Sequence, residues 1–125
     1  MTPTNTNAGA ETMTVNEAVA AMLALYATPG TWVQAGIAQD AAGRPVEAES
    51  LEAVAWSLEG AMYRVVGDPD AKGITKTEWQ RRIALVAAVM GAFDVDLMAF
   101  NDAARHQRAV VSVLRAELSC ERMPT

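Results

Sequence analysis

The stretch Thr75-Lys76-Thr77-Glu78-Trp79-Gln80-Arg81-Arg82-Ile83-Ala84-Leu85-Val86-Ala87-Ala88-Val89-Met90-Gly91-Ala92-Phe93 decides the fold class. Thr75 and Glu78 have the T-x-x-E spacing of a capping box, in which each side chain satisfies a free N–H of the first helical turn. The first turns are amphipathic: Trp79 and Ile83 point one way, and Gln80, Arg81 and Arg82 another. From Ile83 onward the segment is apolar on every side, which places a helix in the middle of a fold. At about half of the ~20 residues that a membrane span requires, the run Ile83 to Phe93 reads as a core helix. The sequence thus predicts a mainly all-α fold, a compact irregular bundle of four main helices around this central apolar helix.

Outward from it, Asp94-Val95-Asp96 opens a short helical turn through Leu97, Met98 and Phe100. A last helix is expected from Asn101, a favoured N-cap, with Asp102 in its first turn facing the positive end of the helix dipole. Ala103, Val110, Leu114 and Leu118 mark its buried face, with Gln107 beside it. On the other side, Ser50 is a good N-cap, and Leu51, Val54, Ala55, Leu58, Ala61, Met62 and Val65 repeat with the helical period up to a stop at Gly67. Gly60 inside that helix costs roughly 1 kcal/mol relative to alanine, so a second backbone is expected to pass it closely at a helix crossing. A first helix begins at the capping box Thr14/Glu17, buries Val15, Val19, Met22, Leu23 and Tyr26, and ends before Pro29-Gly30.

Residues 31–48, after this first helix, are an irregular or short-hairpin segment. Trp32, Val33 and Ile37 suit strands, Asp40 to Gly43 suit a turn, and Arg44-Pro45-Val46 could return as a strand, although Pro45 lacks a ladder donor. The expected organisation is a disordered tail over 1–13, a single helical domain over 14–119 and a frayed end over 120–125.

The chain of 125 residues carries a formal charge of −5, unevenly spread. Residues 1–63 hold seven acids and one base, residues 64–125 eight acids and nine bases. Acidity disfavours nucleic acid and anionic membranes and favours a protein with a basic surface. A lone cysteine, Cys120, precludes an internal disulfide. With an N-terminus unlike a signal peptide, this points to the cytoplasm.

Residues able to do chemistry are few. One histidine and one cysteine cannot make a structural zinc site, and no metal or cofactor is expected. His106 and Asp102, four apart on the expected last helix, could form a general-base pair but read more simply as a surface i, i+4 contact. Asp68/Asp70 and Asp94/Asp96 read as loop and cap residues rather than cation ligands. The Trp79–Arg82 stretch pairs an aromatic with arginines, as nucleic-acid grooves do, but its tryptophan should be buried.

Three stretches, Trp32-Val33-Gln34-Ala35-Gly36, Ser57-Leu58-Glu59-Gly60-Ala61 and Phe100-Asn101-Asp102, together resemble a family of uncharacterised small phage and bacterial proteins with a W-x-q-g, C-l-x-G-A, w-N-D pattern. Ser57 stands where that family more often has cysteine, and Phe100 where it has tryptophan. The resemblance spans residues 15–118 and implies a shared helical fold and a phage or prophage accessory protein in the host cytoplasm, without a reaction. Trp32, Gln34, Asn101 and Asp102 are the candidate ligand or partner residues it selects; as fold-makers they would be a lid and a helix cap. The expected function is a non-catalytic interaction protein modulating a host protein. The alternatives are a small-ligand module with a pocket under the Trp32 segment and, third, a small enzyme using Asp102 and His106.

Overall fold

A computed structural model describes residues 13–122, with side chains to residue 118; all but the last residue of the tail expected over 1–13, and the Cys120 side chain, lie outside the described residues. Among these residues the chain forms α1 (Val15–Leu25), β1 (Ala38–Gln39), β2 (Pro45–Val46), β3 (Ala55–Trp56), α2 (Leu58–Val66), α3 (Lys76–Ala92), α4 (Leu97–Ala103) and α5 (Gln107–Arg122). The fold is therefore mostly helical but not purely so, since a small antiparallel sheet of order β2-β1-β3 joins the helices.

The first helix, not the third, occupies the centre. Thr14 and Glu17 close the expected capping box, and Ala18, Val19 and Met22 are wholly buried. This helix packs most extensively against α2 and α5, and less against α3. Tyr26 extends its buried face, and the phenol donates to the carbonyls of Trp56 (2.9 Å) and Ser57 (2.8 Å). Burial pushes that phenol's pKa well above its usual range.

Residues 38–46 form the hairpin that the turn residues allow, with Ala38 opposite Val46 and Gln39 opposite Pro45. Asp40 builds the turn, its carboxylate accepting from the amides of Ala42 and Arg44, both at 2.9 Å. Pro45 sits in an edge strand, where its missing donor costs no ladder bond.

The helix expected from Ser50 begins only at Leu58, capped by Ser57, whose hydroxyl accepts from the Gly60 amide at 3.0 Å. The Ser50 hydroxyl instead accepts from the Glu52 amide in a local turn, a bond that competes with helix. Leu51 is 97% exposed, and Ala55–Trp56 pairs with β1 as a strand. Trp56 also bridges to Trp32 on its other side, its amide donating to the Thr31 carbonyl at 2.8 Å. The Trp56 indole donates to the Ala48 carbonyl at 3.1 Å, and the Arg64 guanidinium lies 5.4 Å over its ring. These non-local bonds override a helical period that the sequence displays plainly.

The α3 helix is turned over relative to expectation. Arg81 and Arg82 face inward, donating to the carbonyls of Val66 (3.1 Å) and Asp68 (2.8 Å) and to Glu78. Trp79 and Ile83 face outward, each 42% exposed. Val89 is its one fully buried position. Thr75 still caps the helix by accepting from the Glu78 amide, but the Glu78 carboxylate is drawn to the two arginines, and only half of the expected box forms. Gly67, at φ +108°, lies against the Arg82 side chain where any Cβ would collide.

Gly60 is where another backbone approaches, as its position implies, but the neighbour is an extended segment rather than a helix. A Cβ there would fall on the Ile37 carbonyl oxygen, which accepts from the Ser57 amide at 3.1 Å. Helix propensity alone predicts that Gly60→Ala gains about 1 kcal/mol. The contact predicts a loss of about 2 kcal/mol or more, measurable by urea denaturation. The bonds from Arg81 and then Arg82 hold the Glu78 carboxyl at about 2, below its ordinary 4.5. A depressed carboxyl stabilises above its unfolded value, and the benefit fades as pH falls through its folded one. The stability gap between the native chain and Glu78→Gln should be modest at neutral pH, under about 1 kcal/mol for a half-solvated group. It should close between pH 4.5 and about 2.

Candidate functional site

Asn101 is a buried side-chain amide at the junction of three remote stretches. Its Oδ1 accepts from the Leu58 amide at 3.0 Å and from the Trp32 indole at 2.8 Å, and its Nδ2 donates to the Gln34 carbonyl at 2.7 Å. One side chain therefore helps cap α2, holds the Trp32 ring and fixes the backbone before β1. The Gln34 side chain completes the circle, its Nε2 donating to the carbonyls of Asp102 and Ala104 (2.9 Å).

Asn101 reaches this position from inside α4, whose N-cap is Asp96, and not as the cap of the last helix. The chain leaves α4 through Ala104 in an extended conformation, and α5 starts at Gln107. Asp102 and His106 thus lie on opposite sides of a break instead of one turn apart on a single helix. Both are exposed.

A second amide, Gln107, performs the matching task at the start of α5. Its Oε1 accepts from the amides of Gly30, Thr31 and Trp32 at 3.0–3.1 Å. Its Nε2 donates to the carbonyls of Tyr26 (3.1 Å) and Thr28 (2.9 Å) and to the Thr31 hydroxyl (3.2 Å). The sequence carried a signal for this residue. Gln107 stands three and seven residues before the buried Val110 and Leu114, a core-facing register where a polar side chain needs partners.

The four candidate residues Trp32, Gln34, Asn101 and Asp102 are brought together. The polar groups of Trp32 and Asn101 are committed within the fold, whereas the Asp102 carboxylate borders open space. Two hollows flank it. One, of about 430 Å³, is lined by Gln34, Gly36, Ile37, Ser57, Glu59, Met98, Asn101 and Asp102. The other lies between Trp32, Gln34 and Arg105.

A third hollow, of about 380 Å³, is acidic, with Glu47, Glu49, Asp68 and Asp70 around it and Lys72 at its edge. Arg82 approaches Glu49 at 3.8 Å. The neighbouring Tyr63 donates to Glu59 at 3.0 Å. Its pKa is pushed up to about 12, chiefly by burial, then by Glu59 and by the charges of Asp68 and Asp70. Among the described residues no three of His, Cys, Asp or Glu are close enough together to hold a metal ion, and no single helix among them is long and apolar enough to cross a membrane.

The model of a family of unknown function, DUF6197, matches residues 10–116, and the chain belongs to that family. No curated protein and no solved structure matches it.

Removing the Asn101 amide leaves two donors and one acceptor without partners, each costing about 1–3 kcal/mol. Asn101→Ala should therefore lose about 3 kcal/mol or more in chemical denaturation. Because Asn101 and Gln107 hold the same segment, Asn101→Ala and Gln107→Ala should be non-additive. The double variant should lose less than the sum of the two single losses.

Proposed function

We propose that this member of the DUF6197 family is a non-catalytic interaction protein whose acidic hollow docks a basic surface of another protein. The observation that carries the reading is the convergence of Glu47 and Glu49 with Asp68 and Asp70, from two separate loops, around one concavity. Carboxylates gathered this way steer a cationic partner and set its orientation. The phage or prophage accessory role, acting on a host protein from the host cytoplasm, is the setting proposed for it.

A second reading rests on the hollow beside Asp102. Its volume of about 430 Å³ falls within the range of small-molecule sites. With Glu59 and Asp102 on its wall, it suits a small cationic or polyhydroxylated ligand.

Capture from lysate tests the first reading. Tagged protein is used to capture a partner from lysate at about 0.01 M salt and eluted by raising salt toward 1 M, which shortens the Debye length from about 30 Å to about 3 Å. One stoichiometric partner should be released by salt, and the charge-reversed variant Glu47→Lys/Asp70→Lys should fail to capture it. Capture that ignores both salt and the charge reversal contradicts the reading.

A further inference from the structure

The α3 helix presents an outer face that none of the described residues covers. Trp79, Ile83, Ala84, Ala87, Ala88 and Gly91 lie along it in successive turns, all exposed, with the exposed Gln80 the one polar side chain among them near its N-terminal end. The opposite side of the helix carries Arg82, only 14% exposed. Placing arginine inward and tryptophan outward is the reverse of what water favours, and contiguous exposed apolar area of this kind marks an interface. The 17-residue helix gives a seam about 25 Å long.

Shape and charge along the seam identify the occupant. Its large side chains, Trp79 and Ile83, lie at one end, and its smallest at the other: a Cβ on Gly91 would meet nothing within 4 Å. Along the helix, Ala87 lies midway between Ile83 and Gly91. A two-fold axis at Ala87 therefore sets Ile83 of one copy opposite Gly91 of the other, a large residue against the smallest, in an isologous contact. Charge follows the same symmetry. Exposed Lys76 stands at the N-terminal end, and exposed Asp94 follows the C-terminal end. Antiparallel pairing brings each basic end onto an acidic one and opposes the two helix dipoles.

From these observations we infer that the chain forms a two-fold symmetric dimer through antiparallel contact of the α3 outer faces, with Ala87 at the axis, Ile83 against Gly91 of the second copy, and Trp79 over the C-terminal end of its α3. The seam uses different residues from the acidic hollow, so either proposal can fail without the other.

Sedimentation equilibrium of the full chain, from about 1 to 500 µM at about 0.15 M salt, tests the inference. The apparent mass should rise from 13.3 kDa toward twice that value. The tryptophan emission should shift to shorter wavelength as Trp79 is covered. Ala87→Glu changes an exposed position, should keep the native circular dichroism, and should hold the chain at 13.3 kDa throughout. Lys76→Glu and Asp94→Lys should each weaken association at least tenfold, and the pair together should restore it. A native chain that stays monomeric at every concentration overturns the dimer. Association indifferent to Ala87→Glu overturns the seam, and a charge swap without rescue overturns the antiparallel orientation.

Discussion

The fold depends on a buried amide satisfying two backbone groups and an indole at once. Residues 27–37 carry no helix and almost no ladder bonds, so their N–H and C=O groups need partners from elsewhere. Asn101 and Gln107 supply them from two helices that come last in the chain. Once fixed, this segment offers the Thr31 carbonyl and the Val33 amide to Trp56, and Trp56 is then held as a strand. Ser57 and Leu58 follow as the start of α2, with Asn101 again on the Leu58 amide. The order of dependence thus runs backward along the sequence, from residues 101 and 107 to residues 31 and 58.

That direction explains what could be read beforehand. Local rules held where the determinants are local. Thr14 and Glu17 cap α1, Val19 and Met22 bury its face, Asp40 to Gly43 turn the hairpin, and Gly67 ends α2. Gly60 correctly announced a close backbone, though an amphipathic pattern cannot tell whether a helix or a strand supplies it. Local rules failed where a distant partner decides. Leu51 to Trp56 has a good helical period, yet bonds to Thr31, Gln39 and Ala48 draw it into extended structure. The break between α4 and α5 contains neither proline nor glycine, so Asn101 read as a cap when it is a core residue.

The α3 helix misled for a different reason. A segment apolar all round gives no indication of which side meets its own domain. The decision falls to Arg81 and Arg82, which bond the Val66 and Asp68 carbonyls at and just after the end of α2. Those two bonds turn Trp79 and Ile83 outward. The grouping of Trp32, Gln34, Asn101 and Asp102 was legible as a cluster, and the structure brings all four together. Their chemistry was not legible, because whether a polar side chain is spent on the fold depends on contacts that spacing does not encode. The acidic hollow also lay beyond sequence reasoning, which registered an acidic first half but could not place Glu47 and Glu49 beside Asp68 and Asp70.

Amide hydrogen exchange by nuclear magnetic resonance tests the central dependence most directly, at the Leu58 amide and the Trp32 indole N–H. If Asn101 holds both as described, they exchange only when the whole domain unfolds, with the same opening free energy as core amides of α1. Rapid exchange of either at the rate of an open loop, while α1 stays protected, would contradict the account.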